Sequence, residues 1–106
     1  MKYVINTIPG CFTLSYDALV FLAKNYPDKV KGQNINSLYF QNRTAPELIE
    51  CVEKLGAKAN GTFAKLAIVE VPDNIVCTIE EFDGVEWIAE RHRIWDTHGQ
   101  RWSDNP

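Results

Sequence analysis

The 106-residue chain has no excess of positive charge, no long hydrophobic run, no glycine-rich phosphate loop and no cysteine pair at metal-binding spacing. Each absence excludes a class of function. Eleven Lys and Arg against fourteen Asp and Glu leave a net charge of −3, so the chain has no general electrostatic reason to bind nucleic acid. No apolar stretch reaches the length of a membrane span, and the opening MKYVINTIPGCFTL lacks the basic run and apolar h-region of a signal peptide. Cys11, Cys51 and Cys77 are odd in number and far apart, which argues against a disulfide framework or a zinc site. Free, mostly buried thiols in a reducing cytoplasm are expected instead. Neither GxGxxG nor GxxxxGK[ST] occurs, and Cys11, Ser15 and Thr62 lack the context of a catalytic nucleophile. No cofactor is implied, and any anion site must be built from side chains.

What is present describes a small ordered domain. At 45% hydrophobic and 24% charged residues the composition is globular, and this length buries roughly two-thirds of its unfolded surface in one core. A single domain is expected over residues 1–95. The tail DTHGQRWSDNP over 96–106 has no apolar period, so it is expected to be either mobile or ordered by a neighbouring subunit.

Alternation and β-branched residues predict a strand over 2–8, ended by Pro9-Gly10. Ser15 is placed as an N-cap, with Asp17 in the first turn, for a short helix of about Tyr16 to Asn25 that Pro27 stops. The polar stretch 28–36 reads as a loop and Ser37-Leu38-Tyr39-Phe40-Gln41 as a short strand. Thr44 and Glu47 have capping-box spacing ahead of the stripe Leu48, Ile49, Val52, Leu55, and Gly56 sits where a C-terminal cap belongs. A further strand is expected over 63–71, ended by Pro72-Asp73.

The strongest local signal lies in IVCTIEEFDGVEWIAERHRIW, residues 75–95. Asp83-Gly84 between two alternating runs predicts a two-residue hairpin, because both turn residues must accept positive φ. The register sets Phe82 against Val85, Glu80 against Trp87, Thr78 against Ala89 and Val76 against Arg91; the opposite face sets Glu81 against Glu86 and Cys77 against Glu90. The fold class expected is therefore α+β: a largely antiparallel sheet, two short helices packed on one face, and a C-terminal β-hairpin.

Four blocks, TLSYDAL, RTAPELIECVEKLGAKANG, AKLAIVEVPDN and IEEFDGVEWIAERHRIW, carry a resemblance covering about four-fifths of the chain in order. They resemble an uncharacterised group of small bacteriophage and bacterial proteins whose C-terminal motif is EE[YF]DGxEWxxExHRxW. The group carries no known activity, so the resemblance implies a phage-type origin and a shared fold rather than a reaction. The chain departs from the group's usual pattern at Ala45, where Asp precedes Pro, and at Phe82, where Tyr stands; the second change removes a hydroxyl from the hairpin tip.

Two constellations invite a functional reading. In extended conformation Trp87, Ala89, Arg91, Arg93 and Trp95 alternate onto one face, placing guanidinium forks beside indole platforms, a combination suited to a small anionic, nucleotide-like ligand. The bland alternative is that Arg91 and Arg93 pair with Glu80 and Glu90 while the indoles pack inward. Glu80, Glu81, Glu86 and His92 suggest acid-base chemistry, as a small hydrolase would use. Alternation divides them between faces, so catalytic residues are not assigned and no enzymatic activity is expected. Glu81 directly opposite Glu86 would repel unless a cation or solvent lies between them. His92, Asp96 and His98 match no ligand spacing, and no metal is expected. Arg101 and Trp102 are of the types favoured as interface anchors and point to self-association. The sequence thus favours a non-enzymatic homo-oligomer that binds a small anionic ligand, in a counter-defence setting in the host cytoplasm. Its main rival is a module that grips a host protein with the same surface.

Overall fold

The structure is a computed structural model; it describes the backbone of residues 1–96 and 99–103 and the side chains of residues 1–91. The chain folds as α+β, with strand β1 (Lys2–Asn6), helices α1 (Tyr16–Asn25), α2 (Pro27–Val30), α3 (Ile35–Gln41) and α4 (Pro46–Leu55), and a 3₁₀ turn over Gly56–Ala59. Strands β2 (Leu66–Glu70), β3 (Cys77–Phe82), β4 (Val85–Glu90), β5 (His92–Asp96) and β6 (Gly99–Ser103) follow. Among the described residues all pairing is antiparallel, but it is divided into three two-stranded ladders, β1–β2, β3–β4 and β5–β6, rather than gathered into one sheet. No described helix is long and apolar enough to cross a membrane.

Helix α1 begins as its sequence dictates: the Ser15 side chain accepts from Ala18 N at 3.1 Å, satisfying one of the orphan donors of the first turn. Its stripe sends Ala18 and Leu22 into the core, where they meet Leu48, Cys51 and Val52 of α4 and Val4 of β1. The stretch read as a short strand is helical. Asn34 caps α3 by accepting from Ser37 N at 3.1 Å, and Ile35, Leu38 and Tyr39 recur at helical spacing against the core. Tertiary burial of that stripe overrides the strand-like content of SLYFQ. Part of the predicted loop 28–36 is likewise taken up by α2, which Pro27 starts with its preset φ.

Helix α4 lies where the apolar stripe puts it and ends at Gly56 with φ +57°, but its predicted capping box is absent. Ala45 is the N-cap, without a side-chain bond. Glu47 turns inward instead, taking a hydrogen bond from the Tyr39 hydroxyl at 3.0 Å, with the Lys29 ammonium 3.8 Å away. A buried carboxylate needs partners more than an exposed first turn needs a cap.

The β3–β4 hairpin has the predicted register throughout, from Phe82↔Val85 to Cys77↔Glu90, and Arg91 N donating to Val76 O at 2.8 Å carries it one residue further. Asp83 at φ +53° and Gly84 at φ +88° make the turn. The tip also packs closely: Gly10 N donates to Asp83 O at 3.2 Å, and a Cβ on Gly84 would stand 2.0 Å from Gly10 O. Beyond Arg91, part of the segment read as a tail is strand, since Gly99–Ser103 pairs with His92–Asp96.

Candidate functional site

The hairpin has two faces with opposite characters, and alternation assigns each side chain to one of them. Glu81, Glu86 and Ile88 share the inward face; Phe82, Val85, Trp87 and Ala89 share the outward one, with Arg91 next in the same alternation.

Inward, Glu86 is buried, 7% exposed, and paired with Arg43 in a bidentate contact. Nη1 reaches Oε1 at 2.6 Å and Nη2 reaches Oε2 at 2.8 Å, while Asn6 N donates to Oε1 at 2.7 Å. Arg43 uses its remaining fork on main chain, with Nε donating to Phe40 O at 2.9 Å and Nη1 to Val4 O at 3.2 Å. Its guanidinium carbon lies 3.9 Å from the centre of the Phe12 ring and 4.8 Å from that of Phe40. Asn6, fully buried, adds a second tie by donating from Nδ2 to Gly84 O at 2.8 Å. The outer edge of β1 is thus finished by a carboxylate at Asn6 and by Arg43 O, which accepts from Val4 N at 2.9 Å. This arrangement resolves the expected repulsion between Glu81 and Glu86. Arg43 neutralises Glu86, and Glu81 turns to accept from Gly84 N at 2.7 Å. Sequence reasoning missed Arg43; the signal was the need for a cation opposite two facing carboxylates, and Arg43 is the one arginine that precedes the hairpin.

Outward, Trp87 is 46% exposed and Phe82 76%, with Val76 beside Arg91 at 40%. Glu80 lies on this face and is held by Thr78, whose hydroxyl donates to it at 2.8 Å. Of the predicted Arg/Trp strip, Trp87 and Arg91 fall in the same alternation, and Arg91 is half-buried. Arg93 and Trp95 belong to the next ladder, where their backbone lies opposite Trp102 and Gln100, and Arg101 lies opposite Ile94. The side chains of Arg93, Trp95, Arg101 and Trp102, and of His92, fall outside the described residues. So does His98 entirely. Among the described residues no three His, Cys, Asp or Glu side chains are grouped to hold a metal ion.

Shallow clefts run along α3. One, of about 220 Å³, lies among Phe12, Asn36, Ser37, Phe40 and Gln41. Its neighbour, of about 240 Å³, shares Ser37 and Gln41 and extends to Gln33, Asn34 and Asn42. A third, of about 180 Å³, opens between Cys11, Phe40 and the hairpin's inward acids Glu81 and Glu86. The cysteines are free but not mostly buried: Cys51 is enclosed, Cys77 is half-buried and Cys11 is exposed. Burial pushes the Cys51 thiol up to about 11. Burial and its bond to Glu47 raise the Tyr39 hydroxyl above the usual phenol range, and a hydrogen bond to Glu50 raises that of Tyr26. These groups stay neutral near pH 7 and tie α4 to α3 and to the end of α1. No protein-family model, curated protein or solved structure matches the chain.

Proposed function

We propose that the protein is a non-enzymatic binding module that engages a partner protein through the outward face of the β3–β4 hairpin. The observation that carries this reading is the exposure of Trp87 and Phe82 on a face whose reverse side is locked to the core by Glu86 and Arg43. Trp87 and Phe82, diagonal neighbours on this face, together leave on the order of 250 Å² in water, close to the size of patch that is often functional. Trp and Arg are favoured hot-spot anchors, and the pinned inner face means that little ordering is needed when the outer one binds. A patch this small suits a transient contact with another protein better than a permanent homodimer. The resemblance to phage proteins supports a host protein as that partner, and with it a counter-defence role in the host cytoplasm.

A second reading has its own support. Trp87 stands half-exposed next to Arg91 in the alternation, where an anionic, nucleotide-like ligand would stack; the sequence alone adds Arg93 and Trp95 as further candidates for that ligand, and Arg101 and Trp102 for self-association. The two readings separate experimentally. A host protein captured by the native chain, identified, purified and retested by calorimetry should lose at least tenfold in affinity for Trp87→Ala and Phe82→Ala. Its unchanged binding to both variants would remove the proposal. Thermal shifts on adding nucleotides, cyclic dinucleotides or ADP-ribose, lost in Arg91→Ala and Arg93→Ala, would favour the ligand reading. Sedimentation of the native chain and of Trp102→Ala tests self-association.

A further inference from the structure

In a chain with 24% charged residues, the stretch from Gly32 to Asn42 has none, and it lines two adjoining clefts along α3. Amides and a hydroxyl supply their polar lining. Three of the asparagines are pinned at one end and open at the other. Asn34 Oδ1 accepts from Ser37 N at 3.1 Å, Asn36 Oδ1 accepts from Leu14 N at 2.8 Å, and Asn42 Nδ2 donates to Leu38 O at 2.8 Å. Each fixed amide therefore keeps donors or an acceptor for a visitor. Ser37 and Gln41, one helical turn apart on α3, add groups of both kinds between them.

The wall of the first cleft is aromatic. Phe40 is 56% exposed, yet its ring is held by Phe12, edge-on at 6.4 Å and 67°, and by the Arg43 guanidinium 4.8 Å from its centre. A ring fixed before a ligand arrives loses little freedom on binding. Its negative face attracts C–H groups that carry partial positive charge, as those of a pyranose ring do. An anion would find no welcome. The nearby cation Arg43 is consumed by Glu86 and main-chain carbonyls, and the next cleft along holds Glu81 and Glu86.

We propose that the clefts along α3 bind a neutral polyhydroxylated ligand, a pyranose unit of a glycan, which stacks on Phe40 and bonds to Ser37, Gln41 and the open ends of Asn36 and Asn42. This site is separate from the hairpin's outward face and does not depend on its function. Its hydrogen bonds largely replace bonds to water, so a single sugar unit binds weakly, with Kd on the order of 1 mM, and a longer chain spanning both clefts binds more tightly.

The test is an amide chemical-shift titration of the full chain. Its probes are glucose, galactose, mannose, N-acetylglucosamine and their short oligomers, with glucose 6-phosphate and AMP as charged counterparts. The expected result is a saturable shift of residues 33–42 with at least one neutral sugar and weaker response to the charged probes. Phe40→Ala should weaken binding tenfold or more, and Phe40→Trp should restore it. Because Phe40 also contacts Arg43, the exposed Gln41→Ala serves as the variant that leaves the core intact, with a several-fold loss expected. The proposal is overturned if no neutral sugar produces saturable shifts, if the shifts fall outside the clefts, if AMP binds as tightly as the sugars, or if Gln41→Ala and Phe40→Ala bind like the native chain.

Discussion

Replacing Glu86 by Gln is the sharpest perturbation the structure offers. Gln keeps the shape and can still accept from Asn6 N, so the 2.7 Å main-chain bond survives. The carboxylate charge that Arg43 meets at 2.6 and 2.8 Å is lost, and an amide NH₂ is turned towards a guanidinium. Arg43 is 5% exposed and cannot swing into water without breaking its bonds to Phe40 O and Val4 O. Stranding one member of a buried pair costs about 3–5 kcal/mol, a large share of the roughly 5–15 kcal/mol that holds a domain of this size together. Urea unfolding should show that loss at unchanged m, and the melting temperature should fall by on the order of 15 °C. Arg43→Met should cost as much or more, since it also leaves Val4 O and Phe40 O without a donor. The double variant should cost clearly less than the two singles added together, with a coupling of about 2 kcal/mol or more. If the singles each cost under about 1 kcal/mol, or add to within about 0.5 kcal/mol, the pair does not hold the hairpin and the reasoning fails. Salt gives a second check. A buried pair is screened far less than a surface one, so the coupling should persist in strong salt.

Gly84→Ala should destabilise by about 2 kcal/mol or more, because φ is +88° there and the new Cβ would stand 2.0 Å from Gly10 O; a native-like urea midpoint would refute the close packing of the tip. Stability should fall as pH rises through about 9 to 11 and beyond. Cys51 and Tyr39 hold their protons more tightly folded than unfolded, so the unfolded chain ionises first. Tyr39→Phe should flatten the upper part of that fall, and a melting profile level from pH 8 to 11 would contradict it. Under native conditions an alkylating reagent should modify exposed Cys11 rapidly and enclosed Cys51 only after unfolding, as mass spectrometry of digested samples would record; equal rates would count against the burial.

Local rules made some of this structure legible in the sequence and left the rest hidden. The hairpin could be read to the residue because its information is local: two positive-φ residues fix the turn, and a period of two fixes every pair after it. The Ser15 cap and the α4 stripe are local in the same sense. The strand expected over 37–41 failed because Leu38, Tyr39 and Phe40 suit a sheet in isolation. What makes the stretch helical is the burial of Ile35, Leu38 and Tyr39 against a core that also holds Val30 and Leu48, which no short window contains. The capping box failed for a related reason. Spacing shows that Glu47 can reach back to Thr44, but not that Tyr39 offers it a better partner inside. Arg43 is the fullest case, since its bond to Glu86 closes a loop of 43 residues, and only the unfavourable facing of Glu81 and Glu86 hinted that a cation was needed.

The same ion pair explains why the outward face can be exposed without the hairpin falling away. A two-stranded ribbon is marginal in water by itself and survives by packing one face on something else. Here the packed face carries an acid at its centre rather than an apolar side chain, and that acid takes three hydrogen bonds from two elements far apart in sequence, β1 and the α3–α4 connection. Directional bonds of this kind fix position and register where a greasy contact would let the ribbon slide. The immediate neighbour of Glu86 in the strand is Trp87, pointing the other way. Whatever holds Glu86 in place therefore holds the Trp87 backbone in place as well, and the Trp87 side chain stays half-exposed instead of being spent on the fold.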